Sequence, residues 1–190
     1  MRKRIVVVAL VFFVGIGCAV AAQQAPARGG GAAQAPAAGA PMAHGNMLQL
    51  MRGILFPNSN VIFAAQDDPA TVKLDETDPA TTPNPLASIY GQWQAVENSG
   101  YALAESANLL SMPRACSNGR QAPVNNADWQ KFVQGLRDAG MVAVKAAQSR
   151  NVDNITMAAD TLTTACGNCH DVYREKTPAQ GGAANRCLPS

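Results

Sequence analysis

The chain has 190 residues, 47% of them hydrophobic, with 15 basic and 13 acidic side chains. Arg2, Lys3 and Arg4 stand within the first 22 residues, and without them the balance is 12 basic to 13 acidic, a net charge of −1. This near-neutral charge, without a basic patch interleaved with aromatic residues, argues against a nucleic-acid partner. The rest of the chain is long enough for one domain with a substantial core.

The first 22 residues have the three parts of a secretory signal peptide. A cationic head, Arg2–Arg4, precedes an apolar run over Ile5–Ile16, and Ala19–Ala21 offers a small-x-small cleavage site. A bilayer-spanning helix needs about 20 apolar residues, so this run is short for a permanent anchor. We therefore expect residues 1–22 to be cleaved and the mature chain to reside in the periplasm, without stable membrane insertion.

Composition divides the remaining chain into three parts. Residues 23–44 are dominated by Ala, Gly, Gln and Pro, a composition that predicts a disordered tether. Residues 45–176 show helical periodicity and are predicted to be the folded domain. Residues 177–190 return to a tether-like composition, apart from Cys187, and are predicted to be a C-terminal tail.

The most regular apolar pattern lies between Asn84 and Pro113. Asn84 is a good N-cap and Pro85 suits the first helical position, so we expect a helix to begin there. Apolar or small residues then recur three and four apart, which is typical of a helix face buried in a bundle. This stripe comprises Leu86, Ile89, Trp93, Val96, Gly100, Leu103, Ala107 and Leu110. Pro113 is predicted to close the segment.

Two further helices are predicted downstream. One begins at Asn125 or Asn126, with Asp128 in its first turn to complement the helix dipole, and the next begins at Asn151. The stripe of the former comprises Trp129, Phe132, Leu136, Gly140, Ala143 and Ala147. That of the latter comprises Ile155, Ala158, Leu162, Ala165, Cys169 and Tyr173.

An earlier helix is less regular. Its stripe comprises Met47, Met51, Ile54, Val61 and Ala65. Pro57 is expected to kink or end this helix, and Asn58 falls on its apolar face. Residues 67–84 and 112–124 lack periodicity and are predicted to be surface connections. Four helices joined in this way predict an all-α fold, specifically an antiparallel four-helix bundle.

The strongest chemical motif is Cys166-Gly167-Asn168-Cys169-His170. Two thiols three residues apart on a helix can bond both vinyl groups of one haem, and the adjacent histidine then lies beneath the iron. A thioredoxin-like dithiol would need a βαβ context, and a zinc site would need a second pair of ligands. A simple disulfide would leave the histidine without a role. The motif therefore predicts one covalent haem c, with Cys166 and Cys169 as attachment sites and His170 as the proximal iron ligand.

The stretch Cys166–Arg174, late in the last helix of a predicted bundle, resembles the C-x-x-C-H-x-x-Y-[RK] signature of the cytochrome c-prime family. The resemblance covers roughly residues 45–176 and is most specific over 166–174. It implies that Arg174 lies near the exposed side of the haem and contributes to cofactor binding, and that Tyr173 packs in the last turn. A solvated cation at the helix end is the alternative interpretation of Arg174.

The resemblance leaves the sixth iron position open, since some relatives keep it empty and others place a methionine there from the first helix. The stretch around Met51 resembles the one in which low-spin relatives carry this ligand, so Met51 is the leading candidate. Met47, His44 and an open position are the alternatives, because a methionine at helical spacing is commonly core filler.

These patterns favour a periplasmic monohaem electron carrier that is not an enzyme and that works with redox partner proteins. The alternative is a five-coordinate haem protein that binds nitric oxide or carbon monoxide. The sequence leaves open whether the protein forms a homodimer.

Outside the leader and the haem motif, two cysteines remain, Cys116 and Cys187. In an oxidising compartment two spare thiols usually pair, and both lie at the same end of the predicted bundle, so we expect a disulfide between them.

Overall fold

The computed structural model describes residues 42–174 and Cys187. The predicted signal peptide, nearly all of the predicted tether and the tail other than Cys187 lie outside these residues. Within the described part the chain is all-α, with four main helical stretches and no strand beyond an isolated bridge between Ala115 and Gln121. None of the helices in 42–174 combines the length and apolarity needed to cross a bilayer.

The first helical stretch is composite. Helix α1 (Met47–Leu50) passes into a π-helical turn (Met51–Leu55) and then into α2 (Phe56–Ala64). Asn46 begins it with a capping box, because its side chain accepts from the Gln49 N–H while the Gln49 side chain accepts from the Asn46 N–H.

Pro57 does not end this stretch, contrary to one of the two outcomes predicted for it. The N–H of Phe56 donates to the carbonyl of Met51, five residues back, so a wide turn precedes the proline. Pro57 then stands in the first turn of α2, where its missing N–H is tolerated. The side chains of Asn58 and Ser59 donate to the carbonyls of Ile54 and Leu55, both at 2.7 Å. The proline therefore coincides with a change of helix type instead of a stop.

The next stretch, α3, spans Gln92–Leu110, so the predicted start at Asn84 and Pro85 is wrong. Asn84 does cap a helical turn, but this is a 3-10 turn over Pro85–Ala87 that ends in extended backbone at Ser88. As a result Ile89 is 49% exposed and is not part of the buried stripe. Gly91 precedes α3 in a tight turn, where a Cβ would lie 2.4 Å from the Leu86 carbonyl oxygen.

The last two helices agree closely with the sequence pattern. Helix α4 spans Ala127–Ser149 after Asn126, with Asp128 in its first turn, and α5 spans Val152–Tyr173. The Asn151 side chain caps α5 by accepting from the Asn154 N–H. Apart from the half-buried Phe132, the predicted α4 stripe is buried, as are Ile155, Ala158, Leu162 and Tyr173 of α5.

Each main helical stretch contacts two others: α2 contacts α3 and α5, and α4 contacts α3 and α5. The largest fully buried aliphatic side chains come from all four stretches. They are Ile62, Val96, Leu103, Val144, Ile155 and Leu162. One core is therefore shared by the whole described domain.

The predicted disulfide is present. Cys116 and Cys187 are bonded, with their Cα atoms 5.9 Å apart and a sequence separation of 71. Both residues are buried. The bond fixes Cys187 of the predicted tail against the connection between α3 and α4.

Two glycines set the distance between α3 and α4. A Cβ on Gly140 would lie 2.7 Å from the Ala104 amide nitrogen, and one on Gly100 would lie 2.8 Å from Cγ2 of Val144. These helices therefore pack almost backbone to backbone, which explains why two glycines occupy a predicted apolar stripe.

We expect Gly140→Ala to lower the free energy of unfolding by about 1–2 kcal/mol, since the overpacking against backbone outweighs the gain in helix propensity. Gly135→Ala, on the same helix, is the matched control, because nothing lies within 4 Å of a Cβ there. That control should raise stability by up to about 1 kcal/mol. Urea unfolding of both variants measures the difference, and equal effects would contradict the close approach.

Candidate functional site

Cys166, Cys169 and His170 lie in the last two turns of α5. All three side chains are half-buried, and both cysteines pack against the hydrophobic core. Neither thiol is in a disulfide. The helix therefore presents two free sulfur atoms at the edge of the core, with an imidazole beside the second one.

Burial governs the ionisation of this group. It raises the pKa of Cys166, and it raises the pKa of Cys169 to about 11 with smaller contributions from Cys166 and Asp128. A redox-active dithiol needs a lowered thiol pKa, so this environment is unlike that of a thioredoxin-type pair. The pKa of His170 is lowered, mainly by burial and secondly by the charge of Arg174, while Asp171 opposes the shift. The lowered pKa favours the neutral imidazole, which is the form that ligates a metal.

Arg174 follows the end of α5 and is exposed. Its N–H donates to the His170 carbonyl at 3.1 Å, and its charge acts on the imidazole of that residue. The structure thus brings Arg174 next to the predicted proximal ligand. Its exposure is compatible with both interpretations of the residue, a haem-side contact and a solvated cation at the helix end.

Aromatic side chains of α4 pack against the last turn of α5. Tyr173 is buried and meets Trp129 edge to face with ring centroids 4.8 Å apart, and Phe132 at 6.2 Å. The Trp129 indole N–H donates to the Leu110 carbonyl at 3.1 Å, which links this cluster to the end of α3. The expectation that Tyr173 packs in the last turn is confirmed.

Tyr173 also forms a pair with Asp128 that the sequence did not suggest. The interaction of the tyrosine hydroxyl with the carboxylate is the main cause of a lowered Asp128 pKa. Burial first, and then the Asp128 carboxylate, raise the pKa of Tyr173 to about 12. In the sequence Asp128 had only the signal of a residue in the first turn of a helix, which predicts a dipole interaction and no partner on α5.

The three candidates for the opposite side of the iron differ in burial. Met47 is 7% exposed and lies in the core, Met51 is half-buried against the core, and His44 is exposed. Met51 also begins the π-helical turn, a distortion that is frequent at functional sites. The stretch that carries Met51 continues into α2, which contacts α5.

The donor set fits a haem better than a bare metal ion. No group of three or more His, Cys, Asp or Glu side chains within 42–174 is arranged to hold a metal. A haem brings its own four nitrogen ligands and needs one or two from the protein. The two free thiols and the neutral histidine of α5 are the residues that would hold it.

Neither a protein-family model, nor a curated protein, nor a solved structure matches the chain. The assignment of function therefore depends on the motif and on the geometry around it.

Tyr173→Phe should raise the pKa of Asp128 toward its ordinary value, because the hydroxyl that favours the carboxylate is removed. The lowered pKa stabilises the fold above the unfolded-state value, and this contribution is lost as pH falls through the folded-state pKa. The stability gap between wild type and variant should therefore be present at neutral pH and narrow in acid. NMR titration of the carboxyl groups measures the pKa of Asp128, and denaturation at neutral and at acidic pH measures the stability gap. Tyr101→Phe, at an exposed tyrosine of α3, should leave Asp128 unchanged.

Proposed function

We propose that the protein is an exported c-type cytochrome that carries electrons on a single covalent haem. The observation that carries this proposal is the C-x-x-C-H motif on α5, where both thiols are free, half-buried and in contact with the core. Cys166 and Cys169 hold the porphyrin through thioether bonds, and His170 ligates the iron. The haem, when bound, supplies the one-electron chemistry, and the protein supplies its position and surroundings.

The proposed architecture is an antiparallel four-helix bundle of the cytochrome c-prime class. Two observations support it: each helical stretch contacts two others, and only Arg150 and Asn151 separate α4 from α5. So short a connection makes neighbouring helices run in opposite directions. The motif then stands near the end of the last helix, where the family signature has it.

Export to the periplasm is part of the same proposal. Its support is the leader-like sequence of residues 1–22 together with the disulfide between Cys116 and Cys187. Disulfides persist in oxidising compartments such as the bacterial periplasm and are rare in the cytosol. Redox proteins of that compartment are the proposed partners.

For the sixth ligand we propose the thioether of Met51. Its half-buried position beside the core and its place at the start of the π-helical turn favour it over Met47, which is taken up by the core. Methionine opposite histidine raises the reduction potential of a haem. That ligand pair suits an electron carrier, whereas an empty position would suit a protein that binds small gases.

The attachment proposal is tested with two matched double variants. Cys166→Ala with Cys169→Ala should abolish the haem that survives acid-acetone extraction, because both thioether bonds are lost. Cys116→Ala with Cys187→Ala removes as many cysteines, here the disulfide-bonded pair, and should retain covalent haem. The measurement is haem stain after denaturing electrophoresis. Covalent haem in the first double variant, or none in the wild type, would refute the proposal.

The ligand proposal is tested by Met51→Leu, which keeps the side-chain volume but removes the sulfur. We expect the low-spin absorption spectrum to become high-spin, the potential to fall and carbon monoxide to bind readily. Met47→Leu is the control and should change none of these properties. If the wild type is already high-spin and binds carbon monoxide rapidly, the gas-binding function replaces the electron-transfer function. If these changes occur in Met47→Leu and not in Met51→Leu, the sixth ligand is Met47, one helical turn earlier.

A further inference from the structure

Arg114 is a buried cation whose hydrogen-bonding capacity is incompletely used. It is 8% exposed and lies in the connection between α3 and α4. One terminal nitrogen donates to the Gly45 carbonyl at 3.1 Å and the other to the Leu109 carbonyl at 3.0 Å. Its Nε is buried without a partner, and it is the one such side-chain atom in the described part of the chain. A guanidinium has five N–H donors, so three remain, including the one on Nε.

Such a group is costly unless an anion compensates it. Burial lowers the pKa of Arg114, and no carboxylate among the described residues contributes to its pKa. Two carbonyl dipoles solvate the charge only in part. The remaining N–H on Nε and one on the adjacent terminal nitrogen form a side-on fork, which has the geometry that binds both oxygens of a carboxylate.

The contacts of Arg114 connect the start of the first helical stretch to the end of α3. Gly45 immediately precedes the capping residue of the stretch with Met51, and the Met47 N–H donates to the Ala115 carbonyl at 2.8 Å. Leu109 stands beside Leu110, whose carbonyl accepts from Trp129.

Trp129 in turn packs against Tyr173, one turn beyond Cys169 on α5. These contacts connect Arg114 to the start of the first helical stretch and, through the end of α3 and Trp129, to the last turn of α5.

We propose that Arg114 binds a propionate carboxylate of the haem. This inference depends on the proposed function, since it takes the haem to be present. The haem carries two carboxylates on one edge of the macrocycle, and one of them supplies the anion that the buried guanidinium lacks. Arg114 then serves as a positioning residue that fixes the porphyrin edge and neutralises charge beside the iron. A carboxylate of the chain itself is the other source of the same chemistry.

The test uses the holoprotein carrying haem with ¹³C-labelled propionates. Arg114→Gln should lower the reduction potential, because a positive charge close to the iron favours the ferrous state. In redox-difference infrared spectra the labelled carboxylate band should shift. Arg114→Lys keeps the charge but loses the fork, so it should restore most of the potential while the band still shifts. Arg120→Gln, at an exposed residue of the same connection, is the control with an equal change in net charge and should alter neither property.

The outcomes separate the two proposals. Absence of covalent haem from the wild type overturns the proposed function and this inference with it. Covalent haem whose labelled band is unchanged in Arg114→Gln overturns only the inference, and a shift confined to unlabelled carboxylate bands assigns Arg114 to a carboxylate of the chain. If Arg114→Gln does not fold, the labelled propionate bands of Arg114→Lys and of the wild type are compared instead. A wild-type spectrum in which both labelled propionates absorb as water-exposed carboxylates overturns the inference without any variant.

Discussion

The last turn of α3 is partly buried, and its final carbonyl oxygens, which have no partner within the helix, need other donors. Two neighbouring carbonyls find such donors in side chains from elsewhere, since Leu109 accepts from Arg114 and Leu110 accepts from the Trp129 indole. Trp129 supports the end of α5 through Tyr173, and Arg114 holds the chain just before the first helix. The surroundings of the proposed haem site therefore depend on which side chains donate hydrogen bonds to the carbonyl groups at the end of α3.

The two pairs of cysteines differ in a way that supports a c-type cytochrome. Cys116 and Cys187 are buried and bonded to each other, whereas Cys166 and Cys169 are half-buried and free. Free thiols are unstable in an oxidising compartment unless they react with something else. Thioether bonds to a haem would consume both thiols permanently and would also give the adjacent His170 a role. A structural zinc ion would need ligands that the described residues do not bring together.

Local signals in the sequence were sufficient for much of this fold. Asn151 caps α5 as predicted, because the preference for a helix-capping residue is decided within one turn, and Asn126 precedes α4 without a side-chain cap bond. The same rule placed the start of α3 at Asn84, but that residue caps only a 3-10 turn, and α3 begins only after the tight turn at Gly91. The burial of Arg114, by contrast, depends on a residue that is distant in the sequence, Gly45. In the sequence, Arg114 is an ordinary cation in a Pro-, Ser- and Gly-containing connection.

The disulfide between Cys116 and Cys187 spans the haem motif in sequence, and this has a consequence for biogenesis. During export from the N-terminus, Cys116 would emerge first, Cys166 and Cys169 next, and its native partner Cys187 last. Four cysteines allow three pairings, and two of these would join a motif thiol to the wrong partner. Oxidation in order of emergence would therefore block haem attachment. In the proposed cytochrome the motif must therefore either stay reduced until the end of the chain has arrived or receive its haem before then.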